Sequence, residues 1–195
     1  MGNETLDSIF TRRSIRNYTD KQIGGDELNQ ILKAATYAPS GSNNQSWLFT
    51  VLQNKEMLEK LNDLVRRGFL DWQPGENEYP AKLGSKKRAE SEAFNFYYHA
   101  PTLVIASNVP NYPNAMADCS VALQNIFLSA HSLGIGSCWI NQLTWLNGCA
   151  GVREYLAALG IPKEHVICGA AALGYRNGEM PKAPARKENT IRIVR

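Results

Sequence analysis

The longest helical pattern in the sequence, from Ala115 to Leu133, constrains the fold more than any other segment. Its apolar residues recur around the helix instead of keeping to a single stripe. They are Val121, Leu123, Ile126, Phe127, Ala130 and Leu133. A helix that is apolar on more than one side is normally buried in a core or in an interface. Gly134, which follows it, is a typical residue for a helix end.

Shorter patterns on both sides of this helix predict further helices and strands. The predicted helices are one that ends near residues 12–14, one that follows Gly24–Gly25 with Asp26 as its cap, 55–67, 85–98 and 147–159. The predicted strands are 47–53, 101–107, 137–140, 166–173 and an edge strand at 190–194. Residues 68–84 are expected to be irregular. This order lacks the regular alternation of a doubly wound sheet, so we expect one α+β domain over residues 1–195, with an excursion at about 67–99.

Composition and charge exclude several classes of protein. Hydrophobic residues make up 44% and charged residues 20% of the 195 residues, which is ordinary globular composition. The formal net charge of +3 is too small to predict a nucleic-acid partner. The apolar runs are shorter than a membrane span needs, and the opening residues show no signal-peptide pattern. We therefore expect a cytoplasmic protein with neither a membrane nor a nucleic-acid partner.

Cysteine and histidine spacing argues against a metal site. The four cysteines lie far apart, no Cys-x-x-Cys occurs, and the chain has only three histidines. Zinc sites need such ligands at close spacing, so no metal is expected. Cys119, Cys138 and Cys168 lie in apolar surroundings, which predicts buried thiols in a reducing compartment.

The segment Arg12-Arg13-Ser14-Ile15-Arg16 places three guanidinium groups and a hydroxyl where a helix gives way to extended chain. Alternate side chains of an extended segment point the same way, so Ser14 and Arg16 are expected to face one ligand. Guanidinium groups donate two parallel hydrogen bonds and suit phosphate. Taken alone, the cluster is more typical of a solvated surface.

Two further segments contain groups that a polar cofactor needs. The loop from Ala38 to Trp47 is dense in small polar residues and backbone donors, although it also fits a simple turn with Trp47 in the core. The segment from Gly134 to Gln142 begins with Gly-x-Gly, but these glycines close a helix and position 139 is tryptophan. A Rossmann dinucleotide site is therefore excluded, and a helix end followed by a core strand is the local interpretation.

Together and in this order, these segments resemble the nitroreductase family. The matching segments are Arg12–Ile23, Ala38–Trp47, Leu133–Ile140, Gly174–Tyr175 and Arg186–Lys187. Each segment is short, but the resemblance spans nearly the whole chain. It implies an α+β fold with a central mixed or antiparallel sheet flanked by helices. It also implies an intertwined homodimer with FMN at the interface between subunits and NADH or NADPH as the electron donor.

The resemblance also implies roles for individual residues. Contacts with the phosphate and ribityl groups are expected from Arg12, Arg13, Ser14 and Arg186. The pyrimidine edge of the flavin is expected beside Arg16. The other subunit is expected to contribute Pro39, Ser40, Gly41, Ser42 and Asn43. The strand under the isoalloxazine, with a backbone N–H near N5, is expected to comprise Trp139, Ile140, Asn141 and Gln142. Of these residues, Arg16 and Asn141 are expected at the reacting part of the ring.

The sequence departs from the family pattern at Ser46, where the family often has proline, and in residues 69–99, which match no motif. The expected activity is ping-pong transfer of reducing equivalents from NAD(P)H to nitroaromatic, quinone or similar small acceptors. Two alternatives stay open. One is a specialised branch of the fold, such as a dehalogenase or a flavin-fragmenting enzyme. The other is a flavin-binding protein without catalytic activity.

Overall fold

The computed structural model describes residues 2–195 and contains eleven main elements within them. The helices are α1 (Glu4–Thr11), α2 (Gly25–Thr36), α3 (Lys55–Asp71), α4 (Pro80–Ala89), α5 (Ala115–Ser132), α6 (Gln142–Trp145) and α7 (Ala150–Ala158). The strands are β1 (Leu48–Leu52), β2 (Thr102–Asn108), β3 (Gly136–Ile140) and β4 (Val166–Gly174). A single 3₁₀ turn covers Gly41–Asn43.

The four strands form one antiparallel sheet in the order β1-β2-β4-β3. This arrangement confirms the predicted α+β fold with a central sheet. The chain that follows α1 lies along the outer edge of β3, where Ser14 and Ser137 form a parallel bridge. The Ile15 N–H donates to the Ser137 carbonyl at 2.9 Å. The sheet edge next to β3 is therefore covered by the arginine-rich segment.

Apolar side chains from the sheet fill two cores, one on each face. On β2, Leu103 and Ile105 belong to the core shared with α3 and α7, while Val104 and Ala106 belong to the core shared with α2 and α5. This division follows from the two-residue period of a strand, which sends successive side chains to opposite faces. Because both faces are covered, β2 is buried along its whole length.

Helix α5 confirms the long helical prediction and explains its apolar pattern. Leu123 and Ile126 are fully buried in the core, whereas Met116 and Val121 are 47% and 40% exposed. The chain turns at Gly134 with a φ of 73°, which glycine adopts without strain. One side of the helix therefore packs on the sheet and another leaves apolar side chains at the surface.

Several predicted boundaries are wrong around α3 and α4. Helix α3 continues to Asp71, and α4 begins at Pro80, five residues before the predicted helix over 85–98, and ends at Ala89, nine residues before the predicted end. Pro80 occupies the first turn of α4, a position that lacks a hydrogen-bonded N–H in any helix. The Lys86 ammonium donates to the carbonyls of Phe69, Leu70 and Trp72, which caps the end of α3. This long-range contact sets boundaries that periodicity alone does not indicate.

Three other details of the secondary structure differ from the predictions. Gly24 caps α2 in place of Asp26, and its N–H donates to the Glu27 carboxylate at 2.9 Å. The helix predicted from residue 147 begins at Ala150 and is preceded by the short α6. The predicted edge strand at 190–194 does not form within residues 2–195, where Ile191 and Ile193 are 84% and 72% exposed. An edge strand needs a free strand beside it, and this segment has none.

Predicted burial of the cysteines is confirmed, since Cys119, Cys138 and Cys168 are buried free thiols. Within residues 2–195, no helix combines the length and the apolar character that crossing a bilayer requires.

Candidate functional site

The extended chain beside β3 brings Arg12, Ser14 and Arg16 together, as the alternation of side chains predicts. All three residues lie near the Cys138 thiol on β3. Burial raises the pKa of Cys138, while the two guanidinium groups and hydrogen bonds from Ser14 and Arg16 oppose that rise. The net pKa is raised, so the thiol stays neutral and the positive charge of the arginines is not cancelled by Cys138.

This segment lies close to the sheet because Gly136 has no side chain, and a hydrogen bond from the buried Tyr18 holds it there. A Cβ added at Gly136 would lie 2.9 Å from Ile15 Cγ1 and 3.0 Å from Ile15 Cβ. The Tyr18 hydroxyl donates to the Ile15 carbonyl at 2.6 Å and lies 3.3 Å from the Ala172 carbonyl. Ile15 is 3% exposed, so the backbone between Ser14 and Arg16 is fixed.

Arg13 bonds the backbone at the end of α1 and borders the same cavity as Arg12. Its Nη1 donates to the carbonyls of Phe10 and Arg12, at the end of α1. Its Nε is buried without a hydrogen-bond partner, and so is the Ser137 hydroxyl. Both Arg13 and Ser137 line a cavity of about 140 Å³ that Arg12 and His131 also border. Two unsatisfied donors at a cavity with two guanidinium groups form an environment suited to an anion.

Arg186, near the C-terminus, lies close enough to Arg12 for its charge to affect the pKa of Arg12. Burial lowers the pKa of Arg12, and the charges of Arg13 and Arg186 lower it further, against an opposing effect of Cys138. Arg186 belongs to the exposed C-terminal tail, more than 170 residues from Arg12 in sequence. The structure therefore places the positive charge of the tail near the segment that the sequence analysis paired with it.

Arg16 faces an aromatic ring that the sequence analysis did not assign to the site. Its guanidinium carbon lies 5.7 Å from the centre of the Tyr98 ring. Burial lowers the pKa of Arg16, but Cys138 and a hydrogen bond with Tyr98 more than offset this, and the net pKa is raised. Arg16 therefore remains a permanent cation at any pH at which the chain is folded.

The end of β3 contributes four predicted site residues that differ in environment. The Trp139 indole lies against Gly169 and 5.9 Å from the Phe127 ring, in the core on the α5 face. This position agrees with the local interpretation of a core strand. Its Nε1 donates to the Asn141 side-chain oxygen. Ile140 is buried, and Gln142 is buried with its Nε2 3.4 Å from the Ser85 hydroxyl.

The loop predicted to come from a second subunit, residues 39–43, lies at the N-terminal end of α5. The Gly41 N–H donates to the Asp118 carboxylate, and the Tyr112 hydroxyl donates to the Gly41 carbonyl at 3.0 Å. Ser42 and Asn43 have φ values of 52° and 55°, which give the loop its tight curvature. Trp47, which follows the loop, is half-buried beside Phe49.

Within one chain this loop is distant from the arginine cluster. At the C-terminal end of α5, His131 lies 2.8 Å from the hydroxyl of Thr11, the residue that precedes Arg12. Asp118 and His131 are 13 residues apart on α5, which corresponds to about 20 Å at the rise of an α-helix. The structure thus brings Arg12, Ser14 and Arg16 together, with the charge of Arg186 acting on Arg12, but does not bring Pro39–Asn43 to them in a single protomer.

A second cavity adjoins the site and is formed by the segment for which no motif was found. It measures about 240 Å³ and borders Tyr98 and Gln142. Its other walls are Arg88, Ser91, Ala93, Phe94, Asn95 and Phe96. Asn62 on α3 holds this segment, because its side chain bonds the Phe94 carbonyl at 2.9 Å and the Phe96 N–H at 3.1 Å. The dense aromatic run at 94–98 was the available sequence signal.

Comparisons with known proteins agree with this geometry. The family model described as "Nitroreductase family" matches residues 9–175. A putative NADH dehydrogenase/NAD(P)H nitroreductase from Archaeoglobus fulgidus is 35% identical over 184 residues, covering 90% of this chain and 87% of that protein. A 4-nitrobenzoate reductase from Nocardioides sp. is 28% identical, covering 92% of this chain and 84% of that protein.

Among solved structures, a nitroreductase with bound FMN from Bacteroides fragilis superposes with a TM-score of 0.90. It is 44% identical, and the match covers 100% of both chains. The strands, the arginine-bearing edge and these matches over nearly the full length agree, and the chain belongs to the nitroreductase family.

Proposed function

We propose that this protein is an FMN-dependent oxidoreductase that passes reducing equivalents from NADH or NADPH to small nitroaromatic or quinone acceptors. The observation that carries the proposal is the grouping of Arg12, Ser14 and Arg16 around Cys138 at the edge of β3, with the charge of Arg186 acting on Arg12. The FMN in the Bacteroides fragilis structure and the name of the Nocardioides relative support the cofactor and the acceptor class. We further propose that residues 1–195 act as one flavin-binding domain.

The donor groups beside α1 fit the phosphate of FMN. Arg12 and Arg186 supply positive charge, and the buried Arg13 Nε and Ser137 hydroxyl lack partners that an anion would provide. A buried donor without a partner costs about 1–3 kcal/mol, so binding an anion here relieves an existing cost. Ser14, on the same face as Arg12, is proposed to donate to the adjoining ribityl chain.

The pyrimidine edge of the flavin is assigned to Arg16. Bound FMN supplies two-electron redox chemistry, while the protein supplies position and electrostatics. Arg16 holds a fixed positive charge where negative charge accumulates on reduction, and Tyr98 orients its guanidinium plane. Asn141 and Gln142 follow β3 directly, so we assign the backbone N–H groups at this end of the strand to the reacting side of the ring.

A second copy of the chain is proposed to complete the site. The loop at 39–43 is about 20 Å from the arginines along α5, so a partner is the natural source of these residues. Apolar side chains on α1 are available to bury, because Leu6, Ile9 and Phe10 are 45%, 43% and 64% exposed. Val121 on α5 is also 40% exposed, and exposed apolar side chains in groups mark protein interfaces.

The purified protein provides a direct test. We expect a yellow dimer whose visible flavin bands bleach when NADH or NADPH is added without oxygen and return when a nitroaromatic acceptor follows. Donor and acceptor are proposed to use one open face in turn, so double-reciprocal plots at several acceptor concentrations should be parallel. Intersecting lines would contradict the shared pocket. A colourless monomer that does not bind added FMN would contradict the whole proposal.

The same preparation separates the two alternatives. Flavin that stays oxidised with both nicotinamides would indicate a binding protein without catalytic activity. Product analysis under anaerobic and aerobic turnover distinguishes acceptor reduction from dehalogenation or flavin fragmentation.

A further inference from the structure

The cavity of about 240 Å³ beside Tyr98 and Gln142 has the size and walls of a small substrate pocket. Tyr98 is the half-buried aromatic residue of its lining, whereas Phe94 and Phe96 are 7% and 1% exposed and lie beneath the cavity with little ring surface open to it. Pockets for drug-sized ligands measure roughly 300–1,000 Å³. A smaller cavity with an aromatic wall suits a molecule with one aromatic ring.

Arg88 is the one charged residue among those that line this cavity. Within residues 2–195 no carboxylate lies within ion-pair distance of its guanidinium group. The acidic residues Glu59, Asp63 and Glu92 line a neighbouring cavity that shares only the 93–95 segment with this one. The cavity therefore combines an aromatic wall with a cation that has no acidic partner.

Arg88 is exposed, and one hydrogen bond to a buried serine orients its guanidinium group. Its Nη2 donates to the Ser85 hydroxyl at 2.8 Å. Ser85 is fully buried, donates to the Ala81 carbonyl at 3.2 Å, and accepts from Gln142 Nε2 at 3.4 Å. Lys86, on the same helix, joins α4 to the end of α3. A cation that is already oriented loses less freedom when it binds a ligand.

We propose that Arg88 selects acceptors that carry a carboxylate on a single aromatic ring. The guanidinium group binds the carboxylate through charge-assisted hydrogen bonds, and the ring lies against Tyr98. Gln142 lines this cavity and also follows the end of β3, which was assigned to the flavin. The inference rests on the proposed function, since it names the acceptor class for the same site. Arg88 determines specificity and takes no part in electron transfer.

The test compares two acceptors of nearly equal shape, 4-nitrobenzoate and the uncharged 4-nitrobenzamide. The FMN-loaded wild type is measured beside Arg88→Gln, Arg88→Lys and the control Lys87→Gln, whose exposed side chain does not line the cavity. We expect Arg88→Gln to lower kcat/KM for 4-nitrobenzoate about 10-fold or more, the usual effect of losing a charge-assisted hydrogen bond. The value for 4-nitrobenzamide should stay unchanged, Arg88→Lys should recover part of the loss, and Lys87→Gln should resemble wild type.

A binding titration without electron donor decides the inference independently of turnover. The dissociation constant of 4-nitrobenzoate for the oxidised protein, followed by perturbation of the flavin spectrum, should rise by the same factor in Arg88→Gln. If both acceptors are reduced and the carboxylate preference is the same in wild type and Arg88→Gln, the inference is overturned while the proposed function stands. If neither acceptor is reduced but 4-nitrobenzoate binding still depends on Arg88, the anion site stands and the proposed activity fails.

Discussion

Replacing Gly136 by alanine tests whether close packing of the edge segment creates the flavin site. The new methyl group would lie 2.9 Å from Ile15 Cγ1 and 3.0 Å from both Ile15 Cβ and Cγ2. Ile15 is β-branched, so its χ1 angle is restricted. It is also only 3% exposed, so its side chain has no free space into which it could move. The segment must move away from β3 to relieve the overlap.

The expected magnitude follows from these contacts. Adding a methyl group to a packed interior costs about 1–3 kcal/mol, and this loss should appear in the free energy of unfolding measured by urea denaturation. A shift of the segment also disturbs Ser14 and Arg16 together. Losing one charge-assisted hydrogen bond of about 1.5–3 kcal/mol weakens FMN binding at least about 10-fold, which quenching of flavin fluorescence measures.

A matched control and a rescue variant make the test specific. Gly25 lies in α2 with open space around its Cβ position, so Gly25→Ala should leave FMN affinity unchanged and stability equal or slightly higher. Ile15→Ala removes two of the three crowded atoms, so its effect and that of Gly136→Ala should be less than additive. If Gly136→Ala behaves like Gly25→Ala in both assays, the reasoning is refuted.

Three further predictions concern single side chains. Arg16→Ala should lower the two-electron flavin potential by roughly 30–65 mV, because about 1.5–3 kcal/mol of preference for the reduced form is lost; a potential unchanged in spectroelectrochemical titration removes Arg16 from this role. Tyr18→Phe should cost about 1–3 kcal/mol, because a buried carbonyl loses its donor. Burial raises the pKa of Tyr18, so the folded chain keeps the phenol neutral while the unfolded chain ionises above about pH 10. The stability advantage of wild type over Tyr18→Phe is therefore complete below about pH 10 and falls above it; urea titrations at about pH 8 and about pH 10.5 that give equal differences contradict this account. Lys86→Met should reduce the free energy of unfolding by about 1.5–3 kcal/mol through loss of the bonds to the α3 carbonyls, whereas the exposed Lys87→Met should change it by less than about 0.5 kcal/mol; equal losses in the two variants would show that the cap of α3 contributes nothing.

Local sequence patterns predicted the elements that are defined by their own periodicity. Helix α5 and the strands β2 and β4 lie within one or two residues of their predicted bounds, because apolar spacing and the glycine at 134 act over a few residues. The alternation along residues 12–16 likewise placed Ser14 and Arg16 on one side. The family also followed from the order of the motifs along the chain, and the family implied a central mixed or antiparallel sheet, which the structure shows to be antiparallel.

Contacts between distant segments decided the rest, and no local pattern records them. The bounds of α4 depend on Lys86 reaching the carbonyls of α3, and the role of Tyr98 depends on its ring meeting Arg16 from another part of the chain. Arg13 bonds the end of α1 and leaves its Nε without a partner, a detail that depends on how α1 meets β3. Sequence spacing determines which groups share a face of one element, whereas tertiary packing determines which faces meet.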